Sequence, residues 1–134
     1  MASGIYNRFK ANLMNKIVDL EADTINVALY DDSHAFAAGD TEYTAVNELG
    51  TTGGYTQGGA ALASKSVTEA ATTKWDAADL AWASATFSAY HAVIYDATLG
   101  GNDLICSIDF SGAQTVSDGT FTIKWHGDGI ITLA

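Results

Sequence analysis

Apolar and polar side chains alternate along residues 90–133 with a period of two residues. Successive side chains of a β-strand point to opposite faces, so this alternation predicts half-buried antiparallel strands. Asp103, Ser107 and Asp109 fall on the polar side of the pattern, with Ile105 as an apolar exception. The residues predicted to face inward are Leu104, Cys106, Ile108, Phe110, Phe121, Ile123, Trp125, Ile131 and Leu133.

Three short segments rich in glycine, asparagine or aspartate separate these strands, at residues 100–102, 117–119 and 127–129. Such residues reach positive φ angles at low cost, which tight hairpin turns require. The pattern therefore predicts a four-stranded antiparallel meander as the framework on which the rest of the chain is built.

Residues 1–20 have the three- and four-residue apolar spacing of an amphipathic helix. Ser3 is the predicted N-terminal cap, and Arg8 and Lys10 fall on the polar face. We expect the apolar stripe to pack on the body of the protein, while the basic face lies in solvent or against a partner. The stripe consists of Ile5, Tyr6, Phe9, Leu13, Met14 and Ile17.

The middle of the chain predicts two more strands, over residues 24–30 and 61–67, with a glycine-rich segment between them. Five glycines within residues 50–59 predict a mobile surface loop, or an arm that becomes ordered on contact with a neighbour. A phosphate-binding loop is not expected, because Ala60 follows the last glycine where a lysine would be needed. The residues predicted to face inward in the two strands are Ile25, Val27, Leu29, Ala61, Ala63 and Val67.

These elements predict one domain over residues 1–134, with an N-terminal amphipathic α-helix over 1–20 and a β body over 24–133. Seven or eight strands in a proline-free chain favour a mainly β fold, an antiparallel β-sandwich or jelly-roll-like arrangement with the helix laid against it.

The charge of the chain narrows the range of partners. The net charge is −10, so we expect no nucleic-acid partner, because binding a polyanion needs clustered basic side chains. Residues 1–18 hold three cations and no acid, whereas residues 19–134 hold all 16 acids and three lysines. A basic head on an acidic body orients a protein toward a partner. The head and the glycine-rich loop supply the predicted contact residues: Ile5, Tyr6, Arg8, Phe9, Lys10, Lys16, Gly53, Gly54 and Tyr55.

Membrane association is not expected. Residues 80–95 carry no formal charge but are too short and too polar to span a bilayer. Residues 1–10 lack the apolar run of a signal peptide, which predicts synthesis in the cytoplasm.

Candidate catalytic residues do not form a recognisable motif. Cys106 is the only cysteine, so no intrachain disulfide is possible, and its inward position predicts a core residue rather than a nucleophile. His91 is predicted to be a hydrogen-bonded histidine of a sheet, and His126 to be exposed. Residues 31–34 hold two acids and a histidine, but their spacing is not that of a calcium loop, and a solvated turn is expected. We therefore expect no enzyme, no cofactor and no bound metal.

Four segments resemble a family of small tailed-phage virion proteins, which are generally encoded near the capsid genes. The resemblance covers both ends of the chain and the framework strands, and is weakest over residues 35–75. The motifs belong to the scaffold rather than to a catalytic site. They are Met-Ala-Ser-Gly-Ile-Tyr (1–6) with the helix that follows, Asp-Thr-Ile-Asn-Val-Ala-Leu-Tyr (23–30), Ala-Val-Ile-Tyr-Asp (92–96) and Gln-Thr-Val-Ser-Asp-Gly-Thr-Phe (114–121).

The resemblance implies a capsid decoration, or cement, protein. Such a protein binds the outside of the shell formed by the major capsid protein, bridges neighbouring capsomers and helps the shell resist internal DNA pressure. On this basis we expect a dimer or trimer located on the outer capsid surface of the virion. Three alternatives remain: a neck, tail or fibre-base component, a carbohydrate-binding surface module, and an enzyme.

Overall fold

The computed structural model of this chain describes residues 3–134, and the alternating segments form strands as predicted. Strands make up 45% of the chain and helix 6%, which confirms the mainly β class with one short N-terminal helix. The elements are β1 (Gly4–Ile5), α1 (Asn7–Met14), β2 (Ile25–Tyr30), β3 (Ala60–Ala61), β4 (Ser66–Thr68), β5 (Thr73–Asp76), β6 (Leu80–Asp96), β7 (Asp103–Ile123) and β8 (Ile131–Leu133).

The strands of the described residues form two antiparallel sheets. The larger sheet has the order β1-β7-β6-β2-β3, and the smaller one the order β4-β5-β8. The main core lies against one face of the larger sheet and joins both sheets to the helix, through side chains such as Val27, Phe9, Trp75 and Ile131. A second, smaller core lies on the opposite face of the larger sheet.

A long hairpin of β6 and β7 is the central feature of the larger sheet. Its ladder runs from the pair Leu80 and Ile123 to the pair Asp96 and Asp103. The connecting turn includes Asn102, which has a φ of 51° and donates its N–H to the carbonyl of Leu99. The turn predicted at residues 100–102 is therefore confirmed.

The predicted four-stranded meander is wrong. Residues 117–119 do not form a hairpin turn, because Asp118 (φ 48°) lies at a β-bulge inside the single strand β7. Residues 127–129 do connect two strands, but β8 pairs with β5 of the smaller sheet rather than with β7. Bulges accommodate the same positive-φ residues as tight turns do, so the sequence pattern did not distinguish the two.

A second bulge changes which face Leu104 occupies. Ile94 pairs with Cys106, whereas the next residue, Tyr95, pairs with Leu104, so Ile105 is an extra residue on β7. Leu104 consequently lies in the smaller core, while Ile105 and Cys106 lie in the main core. The prediction that Leu104 faces the same way as Cys106 is wrong for this reason.

The helix is shorter than predicted and begins later. Gly4 and Ile5 form a strand against residues 106–107 of β7, and Ser3 accepts a hydrogen bond from the N–H of Asp109 instead of capping the helix. The reason is that the open edge of β7 provides backbone partners for this segment. Of the phage-like segment 1–6, the first two residues lie outside the described part of the chain.

Strand β2 confirms its predicted pattern, with Ile25, Val27 and Leu29 directed into the main core. The strand predicted over residues 61–67 is wrong. Two short strands, β3 and β4, take its place, and Leu62 between them is the buried residue. The residues predicted to face inward here, Ala61, Ala63 and Val67, are exposed.

The glycine-rich loop packs closely on the larger sheet, which differs from the mobile loop or free arm that was expected. A Cβ atom on Gly59 (φ +82°) would lie 1.9 Å from the carbonyl oxygen of Val27. One on Gly53 (φ +60°) would lie 2.0 Å from that of Thr86, whose N–H donates to Gly53. These glycines allow two backbones to approach each other, a role that composition alone does not separate from flexibility.

A buried carboxylate fastens this loop. Glu48 is 7% exposed and accepts hydrogen bonds from the hydroxyls of Tyr43 and Tyr55 and from the N–H of Gly58. The hydroxyl of Tyr55 also accepts the N–H of Leu29, at 2.9 Å. Burial, together with the hydrogen bond to Glu48, raises the pKa of Tyr55, so this hydroxyl keeps its proton and continues to donate.

Removing that hydroxyl tests the importance of the network. We expect Tyr55→Phe to lower the free energy of unfolding by about 2–3 kcal/mol, because it leaves a buried N–H and a buried carboxylate each short of a partner. Tyr90→Phe, the same change at a partly exposed position, should cost less than about 0.5 kcal/mol. Urea unfolding of both variants measures this difference, and equal costs would contradict the assignment.

Candidate functional site

The end of the helix has a geometry that usually selects glycine. The N–H of Ile17 donates to the carbonyl of Asn12, and the N–H of Lys16 to that of Leu13, which together form a Schellman motif. The residue that must adopt a left-handed conformation in this motif is Lys16, with a φ of 60°. A non-glycine residue in this conformation carries a conformational cost.

Large apolar side chains are exposed around this helix end. Met14 is 88% exposed and Ile17 50%, and Leu13 at 36% lies beside them. Strands β4 and β8 of the smaller sheet add Val67, which is 44% exposed, and Leu133, which is 55% exposed. Isolated exposed apolar residues are ordinary, but a contiguous group marks an interaction surface. We define the helix-end surface as Leu13, Met14, Lys16, Ile17, Leu20, Val67 and Leu133.

Two adjoining grooves connect Leu13 and Val67, and one of them reaches Leu133. One, of about 100 Å³, has Leu13, Leu20, Val67 and Leu133 around its rim and Phe9, Trp75 and Ile131 among its walls. The other, of about 330 Å³, is lined by Leu13, Lys16, Leu20 and Val67 together with Val18, Asp19 and Glu21. Leu13, Leu20 and Val67 line both grooves, so the two form one continuous depression with an apolar part and a charged part.

Hydrogen bonds to the smaller sheet hold this surface in place. The indole N–H of Trp75 donates to the carbonyl of Leu20, at 3.1 Å. The carboxylate of Glu21 accepts the N–H of Val67, at 3.0 Å. Because Trp75 is buried in the main core, the segment that follows the helix is fixed relative to the sheet.

The cations of the head are used in two different ways. Arg8 lies 3.4 Å from the carboxylate of Asp103, which also accepts the side-chain N–H of Asn12, so Arg8 fastens the helix to β7. Lys10 and Lys16 are exposed and form no ion pair with other residues in the range 3–134. The helix-end surface therefore combines apolar side chains with an unpaired positive charge.

The predicted contact residues fall into two groups. Tyr6, Phe9 and Tyr55 are buried within this chain, and Ile5 is paired in β1. Lys10, Lys16 and Gly54 are exposed, while Arg8 and Gly53 are partly exposed. Contact with a partner remains a prediction, and the exposed residues are the ones that can make it directly.

Sequence reasoning missed the apolar part of this surface. The sequence predicts that Leu13, Met14 and Ile17 pack on the body, but the helix ends at Met14 and leaves them exposed. The prediction that Leu133 faces inward is wrong, since this residue is 55% exposed. Leu133 and Val67 lie on this surface because β4 and β8 both flank β5. No local signal in the sequence reports that pairing.

A polar cluster that contains two histidines lies on the face of the larger sheet opposite the main core. The Nε2 atom of His34 lies 3.1 Å from the hydroxyl of Ser107, and its ring lies 5.0 Å from that of His91. Burial and the neighbouring His91 lower the pKa of His34. Asp109 lies 3.8 Å from His91 rather than beside His34, and Ser107 is buried. The arrangement therefore differs from a catalytic triad, in which the acid orients the base that activates the nucleophile.

The other predicted positions are placed as follows. Cys106 is buried, as predicted, and burial raises the pKa of its thiol to about 12, which leaves it unreactive at neutral pH. The exposed position of His126 is also confirmed. His91 differs from its prediction, since its Nδ1 atom has no hydrogen-bond partner within residues 3–134.

No three His, Cys, Asp or Glu side chains of residues 3–134 come together as a metal site would require. The helix of this range is not of the length and hydropathy needed to cross a bilayer. Comparison with protein-family models, with curated proteins and with solved structures gave no match to this chain.

Replacing Lys16 with glycine tests whether its left-handed conformation is strained. We expect Lys16→Gly to raise the free energy of unfolding by about 0.5–1 kcal/mol, because glycine adopts the left-handed conformation without strain and loses part of this gain to its freer unfolded state. Lys10→Gly, the same change inside the helix, should lower it by about 1 kcal/mol. Thermal unfolding distinguishes the two, and a loss of stability in both would show that Lys16 is not strained.

Proposed function

We propose that this chain is a structural protein of a tailed-phage virion, of the capsid decoration type, and that the helix-end surface is its contact with the shell. The observation that carries the proposal is the exposed apolar depression around Leu13, Val67 and Leu133, with the unpaired cation of Lys16 beside it. An apolar centre with a charged rim is the usual anatomy of a protein interface. The proposal also rests on the resemblance of the four framework segments.

Repetition of the contact over the shell makes such a small surface sufficient for stable binding. A single contact of this size is weak, but copies placed regularly over a shell bind cooperatively when they also touch one another. We therefore expect the protein to form dimers or trimers and to bind assembled shells rather than free subunits of the major capsid protein. The net charge of −10 agrees with a protein partner rather than DNA.

Charge orients the proposed contact. The cations of residues 1–18 lie at one end of the sequence, and the body carries the acids. A polarised molecule approaches an acidic partner with its basic end first. On the outer capsid surface this orientation directs the helix-end surface toward the shell.

We also propose that the two sheets form a β-sandwich. Trp75 and Ile131 of the smaller sheet share the main core with Val27 and Phe121 of the larger one. This shared core supports two sheets packed face to face, as in a sandwich or jelly roll. The carbohydrate-binding alternative has less support, since Trp75 and Trp82 are buried and the indole N–H of Trp125 is bonded to Ala78.

Binding to purified undecorated heads tests the proposal. We expect the wild-type chain to co-sediment with heads at micromolar concentration, and Leu13→Asp to bind at least about tenfold more weakly, because a carboxylate would be desolvated at the centre of the contact. Val46→Asp is the matched control, since Val46 is 67% exposed and borders a cleft on the other side of the larger sheet.

Copy number separates the proposal from its closest alternative. Hundreds of copies per head favour decoration, whereas about a dozen or fewer favour a neck, tail or fibre-base component. Failure of the folded wild-type chain to bind heads would contradict the proposal. If Leu13→Asp bound heads as tightly as the wild-type chain, the proposed function would stand, but the helix-end surface would not be the contact with the shell.

A further inference from the structure

Two buried carboxyl groups lie opposite each other where β6 turns into β7. Asp96 ends β6 and Asp103 begins β7, and the two residues are paired in the ladder. Asp103 has cationic and amide partners, since Arg8 lies 3.4 Å away and Asn12 donates at 2.7 Å. Its negative charge is therefore balanced.

Asp96 lacks such partners although it is fully buried, at 0% exposed. Its Oδ1 atom accepts the N–H of Thr98, at 2.9 Å. Its Oδ2 atom has no donor within the described residues. An ionised carboxylate with an unpartnered oxygen in the interior is costly.

A second carboxyl lies beside Asp96. Asp23 is two residues before Ile25, which is paired with Asp96 in the ladder of β2 and β6, so its partly exposed carboxyl comes next to that of Asp96. The Oδ2 atom of Asp23 accepts the N–H of Asp19. No lysine, arginine or histidine within residues 3–134 forms an ion pair with either group. Two ionised carboxylates do not remain in contact without a cation, whereas a pair that holds one proton forms a strong hydrogen bond.

We infer that Asp23 and Asp96 share one proton, and that this bond is a pH-sensitive latch between the segment 19–24 and the end of β6. The unpartnered Oδ2 atom is then the natural position of the proton, which it donates to Asp23. Asp103, with Arg8, is the other charged neighbour, and it retains its own partners when the latch opens.

The direction of the pH effect follows from the contacts. Burial first, and then the contact with Asp23, raise the pKa of Asp96 to about 7. Between the ordinary pKa of an aspartate and pH 7 the folded chain holds a proton that the unfolded chain has released. Stability from this pair is therefore fully present in acid and is lost as the pH rises toward and through 7.

The segment 19–24 connects the latch to the helix-end surface. The segment 19–24 contains Leu20, which lines both grooves, and Glu21, which accepts the N–H of Val67. Loss of the proton puts two negative charges side by side at the base of this segment. We therefore expect the protection of its amides, relative to their intrinsic exchange rates, to be lower above pH 7.

Unfolding of the full chain at pH 5 and pH 8 tests the latch. We expect the folding equilibrium constant of the wild-type chain to be on the order of 100-fold larger at pH 5 than at pH 8 through this pair. Asp96→Asn, whose amide still donates to Asp23, should remove this difference. Asp32→Asn, the same change at an exposed carboxyl, should retain it. Titration of the carboxyl carbons by NMR gives the same answer without any variant, as a pKa near 7 for Asp96.

Three results would overturn the inference. The first is an unchanged pH dependence in Asp96→Asn, and the second is an ordinary carboxyl pKa at both positions. The third is stabilisation of the wild-type chain at pH 8 by millimolar Ca²⁺ that Asp96→Asn abolishes, because the pair would then bind a cation rather than a proton. None of these measurements involves heads, so their outcome is independent of the proposed function.

Discussion

The pairing of β6 with β7 is the constraint on which the rest of the structure depends. This ladder spans Leu80 to Asp96 on one strand and Asp103 to Ile123 on the other, and β1 and β2 add to its two sides. Each face of the resulting sheet carries its own apolar core. The helix and the smaller sheet cover one face, and the loop fastened by Glu48 reaches the edge formed by β2.

The sequence predicted the strands of this ladder and the turn at residues 100–102 between them, but not the continuity of β7 through residues 117–119 or the partner of β8. A two-residue period identifies half-buried strands because it depends only on successive side chains. It fails at Ile105 and Asp118, where a bulge adds a residue and reverses the faces that follow. The partner of β8 was also unpredictable, because pairing with β5 depends on long-range packing and leaves no local mark.

The sequence predicted only part of the candidate site, again because contacts between distant segments leave no local pattern. The basic head was visible as charge, and Lys10 and Lys16 are exposed as expected. The apolar half of the helix-end surface depends on where the helix ends and on strands that come together from distant parts of the chain. The pair of Asp23 with Asp96 is likewise a product of the fold, since it joins segments that the sequence separates.

The central functional claim is that the protein meets its partner through the helix end rather than through the outer edge of β7, which beyond Asp109 pairs with no strand of the described chain. Hydrogen exchange followed by mass spectrometry, on the free chain and on the chain bound to heads, compares these two surfaces directly. The account predicts new protection at residues 12–21, 66–68 and 131–133. Protection confined to residues 110–120 would contradict it.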